Sequence, residues 1–233
     1  MNDILIIRFI RFVPIVFSIG VLIAIYFYPG GNIHNEAQIG YSFTHNFLSD
    51  LGGFRSHSGE ANFISSFFFT FSLFLFGFAG MAFLFIPKLF KNNRSNYYLA
   101  SVGSIFFMIG SLFFAGVGLT PHDLYMEMHI FFAINAFRLL IPASFMYLIV
   151  LYKSEVDKHF SLILLFLLIS TFSYVVYQLS GGNPLENIDE MVRQATVQKL
   201  IVLVNIFSIF FISFAFSQQL ERIDLVYDKN QKK

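Results

Sequence analysis

Two short polar stretches in an otherwise apolar chain hold most of the side chains from which chemistry could be built. The first, NFLSDLGG at 46–53, sets Ser49 beside Asp50, with His45 just before it and His57 soon after. The second, LTPHDLYMEMH at 119–129, carries His122, Asp123 and His129. Carboxylate and imidazole donors together suit a zinc ion with an open position that activates water. The catalytic candidates are Ser49, Asp50 and His129, and the metal candidates are His45, Asp50 and His129, with His57 and His122 within reach of the same chemistry. Head-group binding would draw on His45, His122, Asp123 and Arg138. A bland alternative stands beside these, a hydrogen-bonded clasp, because buried polar groups need partners whatever else they do.

Spacing limits the metal reading. His122 and His129 are seven residues apart, so on a regular helix they share a face but stand about 10 Å apart along the axis. One metal cannot join both unless the turn at 121–124 departs from a helix. A site would otherwise combine one of them with His45, Asp50 or His57 from the other stretch. Thr120, Pro121 and Asp123 also have the pattern of a helix N-terminus, with a hydroxyl cap, a proline in the first turn and a carboxylate near the positive end of the dipole.

The elements that must position these groups are membrane spans. The 233 residues are 56% hydrophobic and 12% charged, against roughly 25% charged in a soluble domain. Six stretches, 12–28, 63–85, 97–119, 130–152, 160–179 and 197–216, approach or exceed the roughly 20 apolar residues that cross a bilayer. The reading is an all-α polytopic membrane protein, with a six-helix domain over 1–218 and a polar cytoplasmic tail over 219–233. The first apolar run is too long for a signal peptide, and no convincing cleavage site follows it.

Arg8, Arg11, Lys88, Lys91, Arg94, Lys153, Lys158, Arg222, Lys229, Lys232 and Lys233 all fall on one side of the six spans. The positive-inside rule therefore puts both termini in the cytoplasm of a cell, taken here as prokaryotic, and both polar stretches outside. A net charge of +1 gives no reason to expect nucleic-acid binding, and the absence of cysteine excludes disulfides and thiol nucleophiles. The 34 phenylalanines read as lipid-facing filler.

The first external connection, 29–62, is long enough to imply a function. Phe47, Leu51 and Phe54 predict a short helix within it, ended by Gly52-Gly53, with Ser49 and Asp50 turned away from its apolar side. Arg138 falls inside the fourth span, where charge is costly. It is expected to face the bundle interior, near Asn135, Gln178, Asn205 or an anionic ligand.

Ser49, Asp50, Leu51 and Gly52 after the first span, and Gly118, Pro121, Asp123 and His129 at the head of the fourth, form a pattern. It resembles the prokaryotic membrane family known as domain of unknown function nine-nine-eight. More distantly the chain is similar to eukaryotic six-span proteins of the Frag/DRAM/Sfk type. The resemblance implies a six-helix bundle with an outward polar mouth and brings no established activity, although some eukaryotic relatives are linked to lipid-anchor remodelling. Two functions follow as expectations. One is a non-enzymatic protein that holds a membrane lipid or other amphiphile between its helices. The other is a membrane-embedded, metal-dependent hydrolase or lipid-modifying enzyme built on Asp50 and His129. A transporter is disfavoured because no span has an unwound middle, and a haem protein because only His129 touches a span.

Overall fold

The computed structural model describes residues 3–231, with side chains through Leu225. Six long helices dominate: α1 (Asp3–Phe27), α2 (Phe63–Phe83), α3 (Arg94–Leu119), α4 (His122–Lys153), α5 (Lys158–Ser180) and α6 (Ile188–Gln231). Each contains a segment long and apolar enough to cross a membrane, which suits a multi-pass membrane protein. Flanking residues extend α4, α5 and α6 beyond the expected apolar stretches at both ends and α1 and α3 at their starts, while α2 ends at Phe83, short of the expected 85. Most of the 219–233 tail simply continues α6. Residues 232 and 233, and the side chain of Lys229, lie outside the described residues.

Sequential helices pack as neighbours and α6 closes on α1, giving a ring around a buried core that includes Phe17, Phe76, Phe107, Phe137 and Phe216. Large apolar side chains such as Leu22, Phe67, Leu162 and Phe166 point outward, as expected where the surrounding solvent is hydrocarbon. Small residues permit close helix contacts. A Cβ on Gly80 of α2 would stand 2.6 Å from Ser111 Cβ of α3 and 3.1 Å from the backbone of Met108. Such close approach is what small residues provide between helices in lipid.

At the end of the bundle that holds both termini, Arg11 Nε bonds Ser213 Oγ at 3.0 Å, Lys88 pairs with Asp3, and Arg222 pairs with Glu155 at 3.0 Å. The opposite end is covered by the segment between α1 and α2. This segment is not purely helical. An antiparallel hairpin, β1 (Gly30–Asn32) and β2 (Asn35–Ile39), comes first, turned by Asn32 Oδ1, which accepts from the amides of His34 and Asn35. Residues Leu48–Gly52 then form a 3-10 helix. Leu51 is buried and Phe54 is exposed, so the expected i, i+7 apolar face does not form, and Asp50 is tucked inward at 3% exposure. The tighter 3-10 winding redirects the side chains.

Replacing Gly80 with Val should force α2 and α3 apart, at a cost of about 1–3 kcal/mol. Thermal unfolding in detergent should show a clear fall in Tm, and an unchanged Tm would contradict the close packing.

Candidate functional site

The covering segment is irregular backbone, so its polar groups need side-chain partners. Helix ends supply them. Asn62 Nδ2 donates to the carbonyls of Leu51 and Gly53 at 3.1 and 3.0 Å, and Ser65 and Ser66 donate to those of Leu51 and Gly52, each at 3.1 Å. From α6, Gln198 Oε1 accepts from the Leu48 amide at 2.7 Å, and the buried Lys199 ammonium donates to the Asn46 carbonyl. From α4, the Asp123 carboxylate accepts from the amides of Phe54 and Arg55, both at 2.9 Å. Asp123 is thus a clamp between the segment and α4.

Thr120 does not cap α4. Its hydroxyl donates to the Gly116 carbonyl at 2.8 Å and so belongs to the end of α3. Pro121 occupies the cap position of α4 instead, its fixed φ having set the chain direction.

Asn46, fully buried, orients the key carboxylate. Its Nδ2 donates to Asp50 Oδ2 at 3.0 Å and to the Gly31 carbonyl at 2.8 Å, while the Phe47 amide also donates to Oδ2 at 3.0 Å. Asp50 Oδ1 is left facing His57 Nε2 at 3.4 Å. Two glycines allow the histidines to come close. Gly31 has φ +79°, and a Cβ there would collide with His57 and Ser58; a Cβ on Gly53 would lie 2.8 Å from His122 Cε1.

The result is a cluster of Asp50, His57 and His122 in which one ligand atom from each lies within 4.8 Å of the others. The buried His57 Nε2 faces the Asp50 carboxylate, and His122 Nδ1 is buried and has no hydrogen-bond partner. Buried polar atoms are rarely left so. The rings of His57 and His122 stand 5.3 Å apart, and His129 follows at 6.1 Å from His122.

That last distance depends on a break in α4. Tyr125 has φ −137° and ψ 49°, outside the helical range, and so the first turn does depart from a regular helix. His129 nevertheless is not one of the three donors. Its Nδ1 lies 2.6 Å from the Thr120 carbonyl, which only accepts, so Nδ1 carries the proton and Nε2 of the neutral ring keeps its lone pair.

His45 stands apart, with Nδ1 2.8 Å from Thr44 Oγ1. Arg138 is exposed on the outside of α4 and does not line the cavity beside the histidines, contrary to the expectation that it faces inward. The inward face of that turn is taken by Ala136, Phe137 and Leu140. The partners proposed for it are engaged elsewhere: Asn135 donates to the Phe131 carbonyl, Gln178 to the Tyr174 hydroxyl and Asn205 to the Ile201 carbonyl.

The cluster forms part of the wall of a cavity of about 590 Å³. Ser49 and His129 line it too, together with Ile130 and Ala133 of α4, Tyr174 and Tyr177 of α5, and Gln194 and Gln198 of α6. Asp50 and His129 therefore share one chamber. Sequence reasoning missed Asn46, Gln198 and Lys199. Asn46 lies within the first polar stretch, and Lys199 is the one cation in the apolar stretch 197–216, so both left a signal.

No protein-family model, curated protein or solved structure matches the chain.

Burial draws the His57 imidazole down, but the hydrogen-bonding and charge of Asp50, aided by Asp123 and Glu36, outweigh it, so His57 stands above its ordinary 6.5. In metal-free protein the stability this pairing contributes is complete below that ordinary value and is lost as pH rises through the higher folded value. The Tm difference between wild type and His57→Gln, after chelation, should therefore be larger near pH ~5.5 than near pH ~8.5. Equal differences would contradict the pairing.

Proposed function

We propose that the protein is a multi-pass membrane hydrolase whose site, on the extracytoplasmic side, holds a divalent transition metal, with zinc expected, and acts on an amphiphile. The observation that carries this reading is the convergence on a chamber wall of the Asp50 carboxylate, the His57 imidazole that faces it, and the buried, unpartnered Nδ1 of His122. Two histidines and a carboxylate are a common catalytic zinc set, one that leaves a fourth position for water. Asn46 and the Phe47 amide act on the far oxygen of Asp50 as supporting hydrogen bonds do at metal sites. Sidedness rests on the Lys and Arg distribution, which places the basic end of the bundle in the cytoplasm.

The metal would lower the pKa of bound water and polarise a carbonyl. This chain's residues do the rest. His129 Nε2, held in its tautomer by Thr120, takes the proton from water as the water oxygen bonds to the carbonyl carbon. It returns that proton to the leaving oxygen as the acyl C–O bond breaks, so ester plus water gives acid plus alcohol. Ser49 lines the chamber and offers a hydroxyl to the substrate head. The reading accords with the resemblance to six-span membrane families, some of whose members are linked to lipid-anchor remodelling.

A binder without catalysis is the second reading, favoured by the same chamber, and metal content separates the two. Purified protein should hold one equivalent of zinc by elemental analysis. His57→Ala and His122→Ala should weaken zinc binding at least tenfold, while His129→Ala should keep the metal and lose hydrolysis. Absence of zinc from wild-type protein under zinc-replete conditions would overturn the hydrolase.

A further inference from the structure

The chamber does not end at the histidines. A second void of about 70 Å³ lies beneath it inside the bundle and shares Ser49, His129, Ala133 and Gln198 with the chamber wall. A third, of about 20 Å³, continues from the second through Phe107, Leu140, Asn205 and Ile209. The three form one seam from the site into the core. Well-packed interiors hold few voids larger than a water molecule, and a void with apolar walls stays dry.

The walls of the second void are mostly hydrocarbon, with Phe17, Phe69, Phe76, Phe107, Phe114 and Phe137 around it. Their rings brace one another edge to face, Phe17 on Phe76 at 4.8 Å and Phe114 on Phe137 at 5.1 Å. Such contacts fix rings in place, which keeps them from collapsing into the space. Polar groups in its lining are few, and apart from Ser111 of α3 they stand toward its two ends. Ser49, His129 and Gln198 stand at the neck beside the metal ligands. Asn205, whose Oδ1 is buried without a partner, stands at the lower limit. From His129 to Leu140 the seam follows eleven residues of α4, about 16 Å by helix rise. One leaflet of hydrocarbon is about 15 Å thick.

We infer that this seam is an acyl-chain tunnel: the substrate is an amphiphile that threads one hydrocarbon chain past His129 toward Asn205 and leaves its acyl head at the Asp50–His57–His122 cluster. The inference deepens the hydrolase reading and rests on it for the fate of the head, but occupancy by the chain is measurable without catalysis. Ala133, small and at the neck, admits the chain. Asn205 sets a polar group at the junction of the second and third voids, and the smaller third void beyond it limits the chain's length.

The test uses palmitic acid carrying a mid-chain diazirine, photolysed with full-length protein in nanodiscs of a dialkyl ether lipid, followed by peptide mapping and zinc analysis of the same samples. Labelling is expected at Phe107, Phe137 or Leu140, with competition by unlabelled palmitate and none by hexanoate. Ala133→Trp and, independently, Val202→Phe should lower that labelling at least tenfold with zinc retained. Asp50→Asn should lose zinc and keep the labelling. Labelling confined to lipid-facing residues such as Phe145 and Phe166, or unchanged in both neck variants, would overturn the tunnel while leaving the zinc result standing. Seam labelling in a protein without zinc would support the tunnel and overturn the hydrolase.

Discussion

Backbone polar groups in an apolar setting must find partners, and the segment between α1 and α2 cannot find enough of them within itself. Everything distinctive about this molecule depends on how that demand is met. Asn62, Ser65 and Ser66 satisfy the carbonyls of 51–53 from α2, Gln198 and Lys199 reach from α6, and Asp123 receives two amides at the head of α4. Each bond contributes only about 1 kcal/mol net, yet leaving its group buried and unpaired would cost about 1–3 kcal/mol. The segment is consequently tied to three helices at once, and its side chains inherit the rigidity of the bundle.

Against this near-complete pairing, the exceptions carry information. Asp50 is half satisfied, with one oxygen held by Asn46 and Phe47 and the other turned to His57. His122 Nδ1 is left over on the same wall. A chain that spends so many side chains on pairing a loop, and then gathers a carboxylate and two imidazoles with a buried nitrogen left over, is organised around something that arrives from outside. The seam of voids below them points to a guest with a hydrocarbon chain.

The sequence made the helices legible because hydropathy over twenty residues is a strong and local signal. The polar stretches were legible as well, since Asp50, His122 and His129 stand out against apolar surroundings. Their division of labour was not. Choosing His57 over His45 requires the hairpin at 30–39 and the Gly31 approach, which are contacts between distant residues. The departure from helix at Tyr125 has no marker of its own, although Pro121 just before it hinted at an irregular start. Arg138 misled because cost inside a span predicts an inward direction, whereas the packing of Ala136, Phe137 and Leu140 fixes the rotation of α4 and leaves the arginine outside. The Phe-rich core looked like filler because composition cannot show whether rings fill a space or frame it.

Zinc-edge X-ray absorption on the zinc-loaded protein addresses the central claim most directly. A shell of light atoms about 2.0–2.1 Å from the metal, with outer scattering from two imidazole rings, is the result that follows from Asp50, His57 and His122 as ligands. A shell of water oxygens alone, or a spectrum unchanged between wild type and His122→Ala, would contradict it.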